Sequence, residues 1–91
     1  MHASSNGQDP LRPAVRTLIG LCASGSIDDR TLGDSLRALA NERPDGWSLV
    51  ALAVGGAIRR FHLAQETQLW ARVDAAEPRL RPTYELAMQP H

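Results

Sequence analysis

The chain has 91 residues, enough for one small domain, and a domain of this size buries only about 60% of the surface that its unfolded chain exposes. Ten arginines balance ten acidic residues and lysine is absent, so the chain lacks the strong net positive charge typical of non-specific nucleic-acid binding. The single cysteine, Cys22, excludes an internal disulfide and a multi-cysteine metal site. With no recognisable signal peptide, we expect a cytoplasmic protein.

Composition divides the chain into three parts. Residues 1–9 are polar and rich in turn-forming types, which predicts a disordered N-terminal tail. Residues 77–91 contain three of the six prolines, which predicts a flexible C-terminal tail. Residues 10–76 remain as the folded domain, and we expect an all-α bundle of three helices, or of four if the last of them is broken.

The first helix is predicted to run from about Asp9 and Pro10 to Ser24. Aspartate is a good N-cap, and proline suits the first helical position because its missing N–H needs no partner there. Gly25 follows where a left-handed residue commonly ends a helix. Cys22 lies on the apolar stripe, which indicates a small core residue rather than a nucleophile. The stripe consists of Leu11, Val15, Leu18, Ile19 and Cys22.

The second helix is predicted to begin at Ser26. Asp29 stands three residues later, which resembles the spacing of a capping box. The apolar stripe of this helix consists of Leu32, Leu36 and Leu39. The helix should end before Pro44, because the residue preceding a proline avoids helical backbone angles.

The third helix is predicted to start after a turn, with Asp45 as its cap. No proline interrupts the chain from Trp47 to about Ala76, and alanine, leucine, glutamine and arginine favour helix throughout. A single helix of about 30 residues would be about 45 Å long and would form the centre of the bundle. The alternative is a break between Gln65 and Thr67, which gives four short helices.

An uncharged segment opens this third helix at residues 47–58. It is too short to cross a bilayer, which requires about 20 apolar residues. Its adjacent glycines lack the spacing and the preceding strand of a phosphate-binding loop. Small residues four apart let a second helix approach closely, so we expect close helix packing at Ala51, Gly55 and Gly56.

A continuous third helix would carry apolar residues on two sides, and the first two helices can cover only one of them. Seven-residue spacings on the second side resemble a coiled-coil seam. In an antiparallel homodimer, Arg59 would meet Glu66 of the other copy and Leu52 would meet Val73. The candidate partner-binding residues are Leu52, Arg59, Leu63, Glu66, Trp70 and Val73.

A second interpretation of that face carries equal weight. The C-terminal segment could fold back and cover it with its own apolar side chains. These are Leu80, Tyr84, Leu86 and Met88. In that case the face would be closed within one copy of the chain.

Catalytic and cofactor motifs are weak. His62 and Glu66 have the four-residue spacing of two metal ligands on a helix, but a structural zinc site needs four ligands, so we expect no metal. The segment LGDSLRAL, around Ser35, resembles the phosphopantetheine attachment motif of acyl carrier proteins. Those proteins have a long loop before the serine, whereas the prediction here places Ser35 within a helix. We therefore expect no cofactor and no enzymatic activity.

The sequence is most consistent with a non-enzymatic interaction or assembly module that binds a copy of itself or a larger protein. The alternative is a small DNA-binding transcriptional or phage-type regulator, for which Arg12, Arg16 and Arg37 would have to cluster on one surface. The apolar start of the third helix does not suit a recognition helix, so nucleic acid is the less favoured partner. A third alternative is a small accessory or carrier subunit of an enzyme complex.

Overall fold

The computed structural model describes residues 10–89 and confirms the all-α class, with no strand in that range. Five helices are present there instead of three or four. They are α1 (Leu11–Ala23), α2 (Asp29–Ala40), α3 (Gly46–Ile58), α4 (Leu63–Ala76) and α5 (Leu80–Met88). The predicted N-terminal tail and its Asp9 cap lie outside the described residues.

The junction between α1 and α2 differs from the prediction in its cap. Gly25 has the left-handed backbone that was expected, with φ of 72°. The cap of α2 is Asp28 rather than Ser26, because the Asp28 carboxylate accepts a hydrogen bond from the backbone N–H of Thr31. The Ser26 hydroxyl instead lies 2.8 Å from the hydroxyl of Ser24.

The prediction of one long helix from Trp47 to Ala76 is wrong. Helix α3 ends at Ile58, and the chain turns through residues 59–62 before α4 begins, so the break also precedes the Gln65–Thr67 alternative. Each half has its own buried side chains, at Val54 and Ile58 in α3 and at Leu69 and Val73 in α4. A straight helix would carry the second set away from the core, so burial outweighs the local helix propensity of the turn.

The C-terminal segment is also different from the flexible tail that was predicted for residues 77–91. Residues 80–88 form α5, and Leu80 is fully buried. Pro82 lies in the first turn of α5, where a proline removes no intrahelical hydrogen bond. The Arg79 guanidinium stacks 4.0 Å from the centre of the Trp47 ring, which attaches the start of α5 to the start of α3.

Helix α3 occupies the centre of the molecule and contacts all four other helices. Helices α1 and α5 pack against it most extensively, and α2 packs against both α3 and α4. A helix that is apolar around most of its circumference needs such cover on several sides. The chain covers the second apolar side of residues 47–58 only in part, because Leu52 stays half-buried and Gly56 is exposed.

Candidate functional site

The six predicted partner-binding residues do not share one face. Leu52 is half-buried on α3 and Arg59 is exposed just after it, whereas the other four belong to α4. Leu63 is 77% exposed, but Val73 is fully buried inside the single copy. Trp70 is buried too, and Glu66 is half-buried. Because the turn at 59–62 separates the two groups, the predicted seam along one straight helix does not exist.

Trp70 is covered by α5. The Tyr84 ring lies 5.3 Å from the Trp70 ring, centre to centre, and the Arg81 guanidinium lies 5.7 Å from the same ring. Arg81 also donates to Asp74 of α4 at 2.9 Å. The C-terminal segment thus folds back on Trp70, which agrees in part with the second interpretation of that face. Leu80 and Tyr84 pack inwards, but Leu86 and Met88 are exposed.

The two adjacent glycines of α3 have different surroundings. A Cβ atom at Gly55 would overlap the ring of Tyr84, so α5 approaches the backbone of α3 at this point. Ala51, one turn earlier, is fully buried. Gly56 is exposed, and no atom lies within 4 Å of the place where its Cβ would stand. Internal packing therefore accounts for Gly55 but not for Gly56.

A groove between α1 and α3 opens over Gly56. Its volume is about 310 Å³, and three arginines stand around it: Arg12 and Arg16 on α1, and Arg60 just beyond the end of α3. The floor consists of Leu52, Ala53, Gly56 and Ala57. We call this feature the arginine groove.

Among residues 10–89, no negative charge lies at the arginine groove. Neither α1, nor α3, nor the turn at 59–62 has an aspartate or a glutamate. None of Arg12, Arg16 and Arg60 has a carboxylate partner among residues 10–89. Three like charges around one apolar floor repel one another, and an added anion would relieve that repulsion.

The helix ends affect the three arginines differently. Arg60 lies at the negative end of the α3 dipole, which is favourable for a cation. Arg12 lies in the first turn of α1, at the positive end of a helix that has no acidic residue in that turn and no side-chain hydrogen bond at its Pro10 cap. A cation there is unfavourable by about 0.3–1 kcal/mol. The start of α1 therefore adds to the preference of the groove for an anion.

The sequence analysis grouped Arg12 and Arg16 with Arg37, but Arg37 lies elsewhere. Its guanidinium is ion-paired with Asp34 and Glu77. The third arginine of the groove is Arg60. Only the packing of α1 on α3 brings Arg60 close to Arg12 and Arg16. The sequence does contain a signal for the groove, because residues 10–27 and 46–65 hold no acidic residue.

The arginine groove has the chemical groups to hold an anion beside an aliphatic segment. Guanidinium groups form paired hydrogen bonds with carboxylates or phosphates, and the apolar floor suits an aliphatic segment of a ligand. Burial raises the pKa of the Cys22 thiol, although the positive charge of Arg72 opposes this, so the reactive thiolate is disfavoured. Ser35 is half-buried within α2. Within residues 10–89, no three His, Cys, Asp or Glu side chains come together as metal ligands.

Known proteins provide no guide to the role of this groove. The chain matches no protein-family model, no curated protein and no solved structure. In the part of the chain that the structure describes, none of the helices combines the length and apolar character needed to cross a membrane.

Proposed function

We propose that this chain is a non-enzymatic protein-interaction module that binds an acidic segment of a protein partner in the arginine groove. The observation that supports the proposal is the set of three arginines around an apolar floor, with no carboxylate among residues 10–89 to neutralise them. When an acidic partner displaces water from these arginines, their guanidinium groups can form paired hydrogen bonds with its carboxylates. Arginine is also one of the residues that contribute most to the binding energy of protein interfaces.

The shape of the groove favours a protein segment over nucleic acid. A phosphate backbone is bound by an extended track of positive charge, whereas the arginine groove is short and its floor is apolar. A peptide with leucine or alanine side chains beside a carboxylate would match both the arginines and the apolar floor. The formal net charge of zero also gives the chain no long-range attraction for a polyanion.

The test is a binding assay by fluorescence anisotropy with a labelled peptide of glutamate and leucine. A lysine–leucine peptide of equal length and a random-sequence DNA duplex serve as comparison probes. We expect the acidic peptide alone to bind, with an affinity that falls as salt is added. The double variant Arg16→Gln/Arg60→Gln should weaken this binding at least about tenfold, which corresponds to roughly 1.4 kcal/mol.

Arg30→Gln is the matched control. Arg30 is exposed on α2, has no ion-pair partner among residues 10–89 and does not line the groove. Its replacement removes one positive charge without changing the proposed site. If the Arg30 variant weakens peptide binding as much as the groove variant, or if the acidic peptide does not bind, the proposal is wrong. Binding of the duplex that is lost in the groove variant would instead select the DNA-binding alternative.

A further inference from the structure

A second surface of the chain carries exposed apolar side chains and carboxylates, which could complement the arginine groove. The large hydrophobic side chains that are exposed are Leu63, Leu86 and Met88, at 77%, 66% and 52%, together with Leu21 at 38%. The first three belong to α4 and α5. Helix α4 begins at Leu63 and α5 ends at Met88, and a short turn joins the two helices at their other ends. The exposed apolar residues therefore collect at the open end of the α4–α5 hairpin.

Two acidic residues lie at the same end. Glu66 and Glu85 line the cleft between α4 and α5, beyond the contact of Trp70 with Tyr84 as one moves away from the turn. Arg81 lines the same cleft, and its guanidinium is ion-paired with Asp74. Neither glutamate has an arginine partner among residues 10–89. We call Leu63, Glu66, Glu85, Leu86 and Met88 the hairpin end. It combines unpaired carboxylates with exposed apolar side chains, whereas the arginine groove combines unpaired guanidinium groups with an apolar floor.

Within one copy the two surfaces adjoin only at the turn between α3 and α4, where Arg60 precedes Leu63 by three residues. Helix α5 covers α3 at Gly55, under Tyr84, whereas the groove opens over Leu52, Ala53 and Gly56. Successive residues of an α-helix point about 100° apart, so α5 and the groove occupy different faces of α3. The space above Gly56 stays open in the single copy.

We propose that the occupant of the arginine groove is the hairpin end of a second copy of this chain. The inference rests on the proposed function and names the partner. Charge complementarity supports it, because Glu66 and Glu85 of one copy would neutralise Arg12, Arg16 and Arg60 of the next. The leucines beside them would contact the apolar floor. Such complementarity guides encounter and fixes the register of an interface.

The geometry of this contact differs from that of the antiparallel homodimer predicted from the sequence. Here the groove of one copy contacts the hairpin end of another. Two copies joined by one such contact leave one free groove and one free hairpin end, which either close on each other in a two-fold pair or bind further copies. Such contacts produce either a closed ring or a growing filament of copies. The mean mass of the assembly increases with protein concentration.

Two variants with complementary defects test this arrangement. The groove variant is Arg16→Glu/Arg60→Glu, and the hairpin variant is Leu63→Ser/Glu66→Gln/Leu86→Ser. Leu63 and Leu86 are exposed and Glu66 only half-buried, so we expect both proteins to fold, and circular dichroism with urea unfolding checks this. The masses are measured by light scattering during size-exclusion chromatography, over a concentration series at low ionic strength.

We expect the wild-type chain to associate and each variant alone to be monomeric, with an apparent dissociation constant raised at least about tenfold. An equimolar mixture of the two variants should form a dimer and stop there, because it contains one intact groove and one intact hairpin end. Arg30→Glu, which changes an exposed arginine outside both surfaces, should associate as the wild type does. The glutamate–leucine peptide should dissociate the wild-type assembly by competing for the groove.

A wild-type chain that stays monomeric at high micromolar concentration would overturn the inference, and so would a mixture of the two variants that stays monomeric. An assembly unaffected by the groove variant would overturn it as well, since another surface would then hold the copies together. The acidic-peptide assay separates this failure from that of the proposed function. If the peptide binds in the groove while the chain is monomeric, the module takes a different acidic partner, and only the second-copy inference fails.

Discussion

Arginines on the two sides of this molecule have different surroundings. On the side formed by α2, α4 and α5, four of them are bound to carboxylates, whereas those of the arginine groove have none among residues 10–89. The bound set consists of Arg37, Arg72, Arg79 and Arg81. The formal net charge of zero hides this segregation, because it sums over both sides.

The paired arginines connect helices that would otherwise separate. Arg72 on α4 donates to the Asp29 carboxylate at 2.9 Å, to the Ile27 carbonyl at 2.7 Å and to the Cys22 carbonyl at 3.3 Å. It thereby holds α4 against the junction of α1 and α2. A polar group that is shielded from water needs a hydrogen-bond partner within the protein. The Asp29 carboxylate and the two backbone carbonyls are the partners of the Arg72 guanidinium. Arg72 is therefore a structural residue, whereas the three arginines of the groove are available for binding.

Glu77 is the centre of the paired side and is almost completely buried. Its Oε1 accepts a hydrogen bond from Arg37 Nη1 at 2.9 Å, and its Oε2 accepts from the backbone N–H and the Nε of Arg79, at 3.2 and 3.1 Å. Burial alone would raise the pKa of this carboxyl, but the hydrogen bonds from Arg79 and Arg37 outweigh it and lower the pKa below its ordinary value. The carboxylate thus fixes the turn between α4 and α5 to α2.

A large loss of stability is expected from Gly33→Ala, on the paired side. A Cβ at Gly33 would overlap the backbone carbonyl oxygen of Ala76, so α2 and α4 would have to separate beside the Arg37–Glu77 pair. We expect the free energy of unfolding, measured in urea, to fall by about 2–3 kcal/mol. Gly20→Ala in α1 is the control, because nothing lies within 4 Å of its Cβ position. Equal stability of the two variants would contradict the close approach of α2 and α4.

Glu77→Gln should lower the free energy of unfolding slightly less than Gly33→Ala, by about 2 kcal/mol at neutral pH. The reason is that buried hydrogen bonds to a charged group are lost or weakened. The loss should depend on pH. A carboxyl whose pKa is lowered by folding stabilises the protein above its unfolded pKa, and this contribution disappears as the pH falls through the folded pKa. The difference in unfolding free energy between wild type and variant should therefore shrink below pH of about 4. A difference that stays constant down to acidic pH would show that Glu77 acts by its shape rather than its charge.

Gly56→Ala should have a smaller effect on stability and of the opposite sign. Gly56 is in the last turn of α3 with open space above it, so alanine should stabilise the helix by up to about 1 kcal/mol. The added methyl group would also stand on the floor of the arginine groove, and we expect it to weaken acidic-peptide binding several-fold. Gly20→Ala should give a similar stabilisation and leave binding unchanged. Unchanged peptide binding by the Gly56 variant would place the ligand elsewhere.

The first two helices could be predicted from the sequence because their signals are local. The stripe of α1 is confirmed at Leu11, Val15, Ile19 and Cys22, all of which are buried, and Leu18 packs beside them. The cap of α2 was misplaced by two residues, because Ser26 and Asp28 are both suitable capping types. Only the backbone geometry after Gly25 determines which of them is used.

The end of α3 and the existence of α5 could not be predicted in the same way. No proline marks the turn at 59–62, so the break depends on tertiary burial of Leu69 and Val73. The prolines of the C-terminal segment indicated a tail, although Pro82 is compatible with the first turn of a helix. The arginine groove joins residues of α1 to Arg60, far along the chain, and only the packing of α1 on α3 makes them neighbours.

The triple variant Arg12→Gln/Arg16→Gln/Arg60→Gln tests the central claim most directly, in urea unfolding and in acidic-peptide binding. The account predicts that the free energy of unfolding falls by no more than about 0.5 kcal/mol, because no ion pair of these side chains holds another part of residues 10–89 in place and their mutual repulsion is removed. Binding of the glutamate–leucine peptide should be lost. A variant that loses several kcal/mol of stability, or one that still binds the peptide as the wild type does, would contradict the division between the two sides.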